Sequence, residues 1–289
     1  MSEAAPIVYL NGRFLPLEEA RVPVMDRGFL FGDGVYEMLP VYGKTVLRED
    51  EHLARLAGSL NAVDIPNPHD ESGWKSLIRD LLDRNDVSDH RSVYIEVTRG
   101  VGDRDHLYDS ALLTPTVFML CRPVKARDYS GGVGAITHAD IRWDYCHIKA
   151  LSLLPAVLLK QRASRAGCHE AILLRSGEVT EGASSNVFVV RDGVITTPPK
   201  SNDLLPGNTR DLIVELAHRA GMPCREEALP EQVLRDADEI WITSSTMEIA
   251  PVVKLDGRNV GTGETGPLWK RMKTLYEEFK QNSAVGNLN

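Results

Sequence analysis

Lys149, in the run Cys146-His147-Ile148-Lys149-Ala150-Leu151-Ser152, and Glu181, in Val179-Thr180-Glu181-Gly182-Ala183-Ser184-Ser185-Asn186, are the two residue types that an aldehyde cofactor needs. A lysine amine condenses with an aldehyde to form a Schiff base and later moves protons. A carboxylate facing a pyridine nitrogen keeps that nitrogen protonated, so that the ring can accept electrons. Together these are the requirements of pyridoxal 5'-phosphate. Taken singly, a lysine ahead of an apolar helical run also reads as a solvated or snorkelling side chain. An acid followed by small and hydroxyl residues also reads as a turn residue.

A phosphorylated cofactor needs an anion site, and the chain offers three. Leu205-Pro206-Gly207-Asn208-Thr209-Arg210 leads into the helix-like run Asp211–Ala217, so amides at a helix start, with the Thr209 hydroxyl, can face a phosphate; an ordinary Asn/Thr cap fits the same residues. Arg55, in Glu51-His52-Leu53-Ala54-Arg55-Leu56, carries the guanidinium best matched to phosphate geometry, or is a surface charge. Glu239-Ile240-Trp241-Ile242-Thr243-Ser244-Ser245-Thr246 runs from an apolar strand into hydroxyl residues, at a strand end where α/β proteins bind ligands, or into a plain turn.

The elements that must carry these groups follow from local pattern. Asn11-Gly12 between apolar runs predicts a hairpin, repeated around Tyr42-Gly43-Lys44. Helices are expected at 52–61 and 72–85, and strands at 91–98 and 116–121. The polar, glycine-bearing stretch 122–132 reads as a linker. Beyond it a strand is expected at 134–141, a helix at 151–166, strands at 170–175 and 186–191, a helix at 209–220 and a strand at 239–243. The expected domains are therefore 1–121 and 133–289.

The run Asp26-Arg27-Gly28-Phe29-Leu30-Phe31-Gly32-Asp33-Gly34-Val35-Tyr36-Glu37 resembles the signature near the start of the class IV aminotransferases, the fold-type IV pyridoxal phosphate enzymes. The Arg55 helix, Val97-Thr98-Arg99-Gly100, and the Lys149, Glu181, Gly207–Arg210 and Ser244-Ser245 segments follow in family order. The resemblance implies an α/β (mixed α+β) fold of two α/β domains with the cofactor between them. It gives Lys149 and Glu181 catalytic roles and assigns Arg55, Asn208, Thr209, Ser244 and Ser245 to the cofactor. Within the family the likeness is greatest to members acting on D-amino acids, D-alanine among them, in a ping-pong transfer to a 2-oxo acid, 2-oxoglutarate or pyruvate. Those members trap the substrate carboxylate with a tyrosine, an arginine and a histidine, matched here by Tyr36, Arg104 and His106; without the family context Gly102–His106 reads equally as a polar loop. A homodimer is implied, with the Arg104–His106 loop reaching the partner's site. Ser152, Ala183 and Asn208 depart from the commonest family residues without removing a group the reaction needs.

Composition bounds the alternatives. A net charge of −8 with no sustained Lys/Arg run argues against a nucleic-acid partner. Four widely spaced cysteines without a Cys-x-x-Cys pair argue against a zinc site or a disulfide framework. No apolar stretch reaches membrane-spanning length, and Met1–Pro6 has no targeting character, so the cytoplasm is expected by default. An L-branched-chain aminotransferase, an aminodeoxychorismate lyase and a non-catalytic binding protein on the same scaffold remain as rivals.

Overall fold

The structure, a computed structural model, describes residues 6–85, 89–125 and 127–284. The first five residues, on which the targeting expectation rests in part, and residue 126 of the expected linker lie outside the described residues. The chain divides into two compact units: Met1–Lys125 with Ile148–Ser152, and Ala126–His147 with Leu153–Asn289.

The first unit is built on an antiparallel sheet. Its elements are β1 (Ile7–Leu10), β2 (Arg13–Pro16), α1 (Arg27–Phe31), β3 (Gly34–Tyr42), β4 (Thr45–Val46), α2 (Glu49–Ala62), α3 (Glu71–Asp83), β5 (His90–Thr98) and β6 (Thr116–Pro123). The strand order is β2-β1-β6-β5-β3-β4. Asn11 and Gly12 both take positive φ, 46° and 86°, which is what a tight turn with the strands' own twist requires. Strand side chains alternate between faces. Val35, Leu39 and Val41 of β3 and Val93, Ile95 and Val97 of β5 form a core with Leu53, Leu56 and Leu60 of α2 and Trp74, Ile78 and Leu81 of α3. Those helix positions recur every three or four residues, so one face of each helix is buried. The Asp70 carboxylate accepts from the Gly73 amide at 2.7 Å and starts α3.

The short segment carrying Lys149 belongs to this unit by main-chain pairing. The Tyr36 amide donates to the Lys149 carbonyl at 2.9 Å, and the Leu151 amide donates to the Gly34 carbonyl at 3.0 Å. Ile148 is buried in the core and Ala150 packs against it.

The second unit holds a nine-stranded mixed sheet. It comprises β7 (Val133–Ala139), α4 (Leu154–Arg165), β8 (Glu170–Arg175), β9 (Glu178–Gly182), β10 (Asn186–Arg191), β11 (Val194–Thr197), α5 (Asn208–Arg219), β12 (Cys224–Glu226), α6 (Glu231–Arg235), β13 (Glu239–Ser244), β14 (Glu248–Leu255), β15 (Arg258–Asn259) and α7 (Pro267–Ala284). The order β12-β11-β10-β13-β14-β7-β8-β9, with β15 on β14, mixes antiparallel pairs with parallel ones at β11/β12, β14/β7 and β7/β8. A parallel pair needs a crossover, which α4 supplies between β7 and β8. Ile172, Val187, Val189, Ile240, Ile242 and Val252 fill the core.

Several elements differ from expectation. The helix expected from Leu151 starts at Leu154, because the Leu151 amide is spent on Gly34 and Leu153 takes the cap position ahead of Pro155. Strand β7 stops at Ala139, where the Asp140 carboxylate turns the chain by accepting from the Arg142 amide at 3.0 Å. Strand β6 continues through Arg122 and Pro123, the first residues of the expected linker. Among the described residues no helix is long and apolar enough to cross a membrane.

A Cβ at Gly34 would meet the Val97 carbonyl oxygen at 2.6 Å and Leu151 Cδ1 at 2.7 Å. Gly34→Ala is therefore expected to destabilise the protein by about 1–3 kcal/mol through overpacking and to loosen the Lys149 segment. Thermal unfolding and limited proteolysis around residue 149 check this.

Candidate active site

In the first unit, Lys149 is half-buried between the two inward residues Ile148 and Ala150, so its side chain leaves the core side. Its backbone amide donates to Ser59 Oγ of α2 at 3.2 Å, and its carbonyl is held by β3. Two elements thus fix the lysine's backbone. The Nζ lies 4.1 Å from the centroid of the Tyr36 ring, a cation–π arrangement.

Beneath Tyr36 on the opposite face of β3 is a buried charge cluster. Glu37 is fully buried, and its carboxylate accepts from Arg55 Nε at 3.0 Å, Arg55 Nη2 at 2.7 Å and His52 Nδ1 at 3.0 Å. The acceptor carboxylate assigns the proton of His52 to Nδ1. Burial pushes the Glu37 carboxyl up, but the Arg55 charge and His52 outweigh it and hold the group well below the ordinary carboxylate range. Burial keeps His52 neutral against the pull of Glu37, helped by the charges of Arg55 and Lys149. Arg55, expected at a phosphate, has its planar fork clamped by Glu37; the guanidinium is rigid rather than a surface charge.

The signature Asp26–Glu37 acts as the frame of this region. Asp26 is buried, caps α1 by accepting from the Gly28 amide at 2.8 Å, and accepts from Thr116 Oγ1 at 2.7 Å. Gly32 closes α1 with φ 68°, a left-handed position that favours glycine. Asp33 accepts from Arg27 Nε at 2.8 Å and Arg99 Nε at 2.9 Å, which holds its carboxyl below the usual range despite burial. Arg27 also donates to the Asp105 carbonyl at 2.6 Å and so ties down the loop that carries Arg104 and His106. In this chain both of those residues are exposed and share the Phe31 ring: the His106 ring centroid lies 5.7 Å away and Arg104 Cζ is also 5.7 Å from its centroid. Among the described residues Arg104 forms no ion pair with Asp103 or Asp105, and no hydrogen bond or ring contact joins the Arg104–His106 pair to Tyr36 within the one chain.

In the second unit, Glu181 lies on β9 and is buried; it is a strand residue, not a turn residue. One oxygen pairs with Arg142 Nη1. The other accepts from Asn186 Nδ2 at 3.1 Å and from the Leu205 amide at 3.2 Å. Arg142 is itself clamped by Asp140, at 2.9 Å from Nε and 2.8 Å from Nη2. Burial pushes the Glu181 carboxyl up to about 7, against Arg142 and the Leu205 amide, which favour the charge. Asn186 also donates to the Leu205 carbonyl at 2.9 Å, so one amide side chain joins the acid to the turn that starts α5. Gly207 is obligatory at that turn, since a Cβ there would sit 2.0 Å from Asn186 Oδ1. Ser184 and Ser185 both donate to the buried Glu170 carboxylate, at 3.0 and 2.9 Å.

Helix α5 begins with Gly207 as a cap that supplies no side-chain bond, so its first amides have neither a capping side chain nor an intrahelical partner. Asn208 and Thr209 are buried there, and Asn208 Nδ2 is a buried donor with no partner. Thr243 Oγ1, at the end of β13, is a second such atom. Ser244 accepts from the Met247 amide at 3.3 Å and Ser245 follows in the turn. Arg142 and Asn186 were not among the residues expected from sequence. Asn186 stands inside the Glu181 motif and could have been found there. Arg142 carries no local signal toward Glu181, which lies 39 positions away on β9, and its neighbour Asp140 marks only a turn.

The chain matches the Amino-transferase class IV family over residues 34–255. It is 41% identical over 272 residues to D-alanine aminotransferase of Bacillus licheniformis, covering 93% of this chain and 95% of that protein. It is 36% identical over 281 residues to D-alanine aminotransferase of Staphylococcus aureus, covering 96% and 99%. The fold is similar to the branched-chain amino acid aminotransferase of Escherichia coli, with TM-score 0.87 and 30% identity over 95% of this chain and 94% of that one. It is also similar to the branched-chain aminotransferase of Thermoproteus uzoniensis solved with norvaline, with TM-score 0.89 and 25% identity over 98% and 97%.

The depressed carboxyl of Glu37 makes a prediction about acid stability. Its folded value lies below the ordinary 4.5, so its contribution is complete above that pH and is lost as pH falls toward the folded value. Glu37→Gln strands Arg55 in the core and is expected to cost about 3–5 kcal/mol at pH 7. It should also flatten the decline in stability between pH 5 and about pH 3. Denaturant unfolding of both proteins across that range is the check; parallel curves would exclude the assignment.

Proposed function

The chain belongs to the class IV aminotransferases, and from that premise we propose that it moves an amino group from a D-amino acid, D-alanine among them, to a 2-oxo acid with the help of pyridoxal 5'-phosphate. One observation carries the proposal: the amine best placed for such chemistry, Lys149, is fixed at its backbone by β3 and α2, in a chain 41% identical to a D-alanine aminotransferase over 93% of its length.

The residues present fit the cofactor. A phosphate is a multivalent anion, and the uncapped start of α5 with the unpartnered Asn208 Nδ2 offers donors to it. Thr209, Ser244, Ser245 and the rigid guanidinium of Arg55 complete the set we assign to that anion. When bound, the cofactor supplies an electron-accepting ring that lets the Cα–H bond of an amino acid ionise. Lys149 provides the amine that joins the cofactor and, once released, the base that takes the α-proton and returns it to a different carbon. Glu181 holds a proton at the ring nitrogen. Its burial strengthens that pairing, and Arg142 and Asn186 fix where the carboxylate points.

We assign the substrate carboxylate to Tyr36, Arg104 and His106, with Arg104 and His106 supplied by the partner in a homodimer. Their exposure here supports that assignment, as does the apolar surface around them. Phe29, Leu107 and Leu112 are 76%, 84% and 80% exposed, which is surface that a second copy would cover. The likeness to solved branched-chain aminotransferases supports a second reading, an L-branched-chain enzyme.

Initial rates with D-alanine, D-glutamate, L-leucine and L-isoleucine against 2-oxoglutarate separate the two readings: D-alanine is expected to lead, and faster L-branched turnover would hand the chain to the second. Arg104→Ala should cost about ten- to a hundredfold in kcat/KM, the loss of one charge-assisted contact. Lys149→Ala should abolish turnover, and borohydride reduction with peptide mapping should label Lys149 alone.

A further inference from the structure

In the second unit, helix α7 runs beside β13, the strand that leads into Ser244 and Ser245. At the strand's first residue the buried Glu239 carboxylate accepts from the Leu268 and Trp269 amides, both at 2.9 Å, so the strand caps the helix. At its last residue, Ser244 is directly opposite Glu248, and Ser245, Thr246 and Met247 turn the chain into β14. From Trp269 to Lys280 the helix advances about 16–17 Å, and over its own length β13 advances about 16–17 Å as well. Helix and strand therefore keep pace from base to turn.

Glu248 stands where the turn closes. It is buried and has φ 63°, a left-handed conformation that short hairpin loops require and that glycine takes most readily. A glutamate there works against its own backbone preference, so something must hold it. Its carboxylate accepts from Lys273 Nζ at 2.5 Å and from Lys280 Nζ at 2.6 Å, two lysines one above the other on α7. Glu277 pairs with both lysines, at 2.6 and 2.8 Å, and completes a network of alternating charge. Burial alone would raise the Glu248 carboxyl, but the lysines outweigh it and hold the group below the usual carboxylate range.

Resting on the assignment of Ser244 and Ser245 to the cofactor's phosphate, we propose that Glu248 is a positioning residue for that anion: clamped by Lys273 and Lys280, it holds the β13–β14 turn in the shape that presents the two serines. Glu248 acts through the backbone it fixes. The Ser244 hydroxyl already accepts from the Met247 amide at 3.3 Å, so the rotation of Met247 and Glu248 determines where that hydroxyl stands. Released from the lysines, residue 248 would relax out of the left-handed region and take the register of Ser244 with it. Helix α7, outside every motif of the site, thereby becomes a splint for the phosphate cup.

The test strips the cofactor from the holoenzyme and follows by visible absorbance the rebinding of pyridoxal 5'-phosphate and of pyridoxal, which lacks the phosphate. Glu248→Gln keeps the side chain's size and loses the charge that the lysines hold, so the phosphate-bearing ligand should bind about tenfold more weakly while pyridoxal stays within about twofold. Glycine takes φ 63° freely, so Glu248→Gly should bring the affinity back to within about threefold of the wild type. Should Glu248→Gln not fold, the double variant Lys273→Gln with Lys280→Gln, which leaves the turn's own residues intact, is expected to show the same selective loss. A glutamate that serves only the fold would weaken both ligands together and would gain nothing from glycine. Equal losses for the two ligands, no loss at all, or no recovery in Glu248→Gly would therefore overturn the inference. A wild type that binds the two ligands alike would overturn it together with the phosphate assignment, so the two failures are told apart.

Discussion

Two main-chain hydrogen bonds, from the Tyr36 amide to Lys149 and from the Leu151 amide to Gly34, tie a five-residue segment to the start of β3 and bring the Lys149 amine over the Tyr36 ring. The geometry around them exists to make that pairing possible. Gly34 leaves room for the segment to approach, Ile148 anchors it in the core, and Ser59 of α2 holds the remaining amide. A lysine on an ordinary loop would keep the rotamer freedom of its long stem and of the backbone beneath it. Here only the stem is left to order.

Both units keep an acid in a buried setting, and they do so with opposite results. Glu37 is outweighed by Arg55 and the His52 hydrogen bond and stays charged at any moderate pH, as a fixed structural anion. Glu181 has one arginine, itself shared with Asp140, and sits close to neutrality in its titration. The difference is one of partners: Arg55 and His52 both face Glu37 and leave its charge constant, whereas the single shared arginine leaves Glu181 with a raised proton affinity, the kind of perturbed group that clusters at functional sites.

The expectations that succeeded were those carried by contiguous residues. The Asn11-Gly12 turn, the strands 170–175 and 186–191 and the start of α5 all have local signals, and the ordered motifs gave the family and the mixed α/β fold. What escaped lies in tertiary pairing. Strand β9 was hidden because Glu181 and Gly182 look like turn residues, and only the β8 partner and the Arg142 charge make them a buried strand. Strand β14 was hidden by Glu248 at φ 63° and by Pro251; the ladder to β7 begins only at Val252, after the missing amide. Helix α7 did show spacing, at Trp269, Met272 and Tyr276, and was within reach of a closer reading. At the site, Arg142 had only the turn-forming Asp140 beside it in sequence, and the clamping of Arg55 by Glu37 needed the sheet to fold first.

The contact between Gly207 and Asn186 bears on how such a chain can change over time. With only 2.0 Å between a hypothetical Cβ at 207 and Asn186 Oδ1, the two positions cannot be altered one after the other in either order without consequence. Enlarging 207 first displaces the amide that steadies Glu181, while shrinking 186 first leaves the acid and the Leu205 carbonyl without their shared donor. The pair is epistatic by sterics alone, non-additive in the way that touching residues are. In a chain built on this frame, what can stand at either point is therefore limited by the residue that stands at the other.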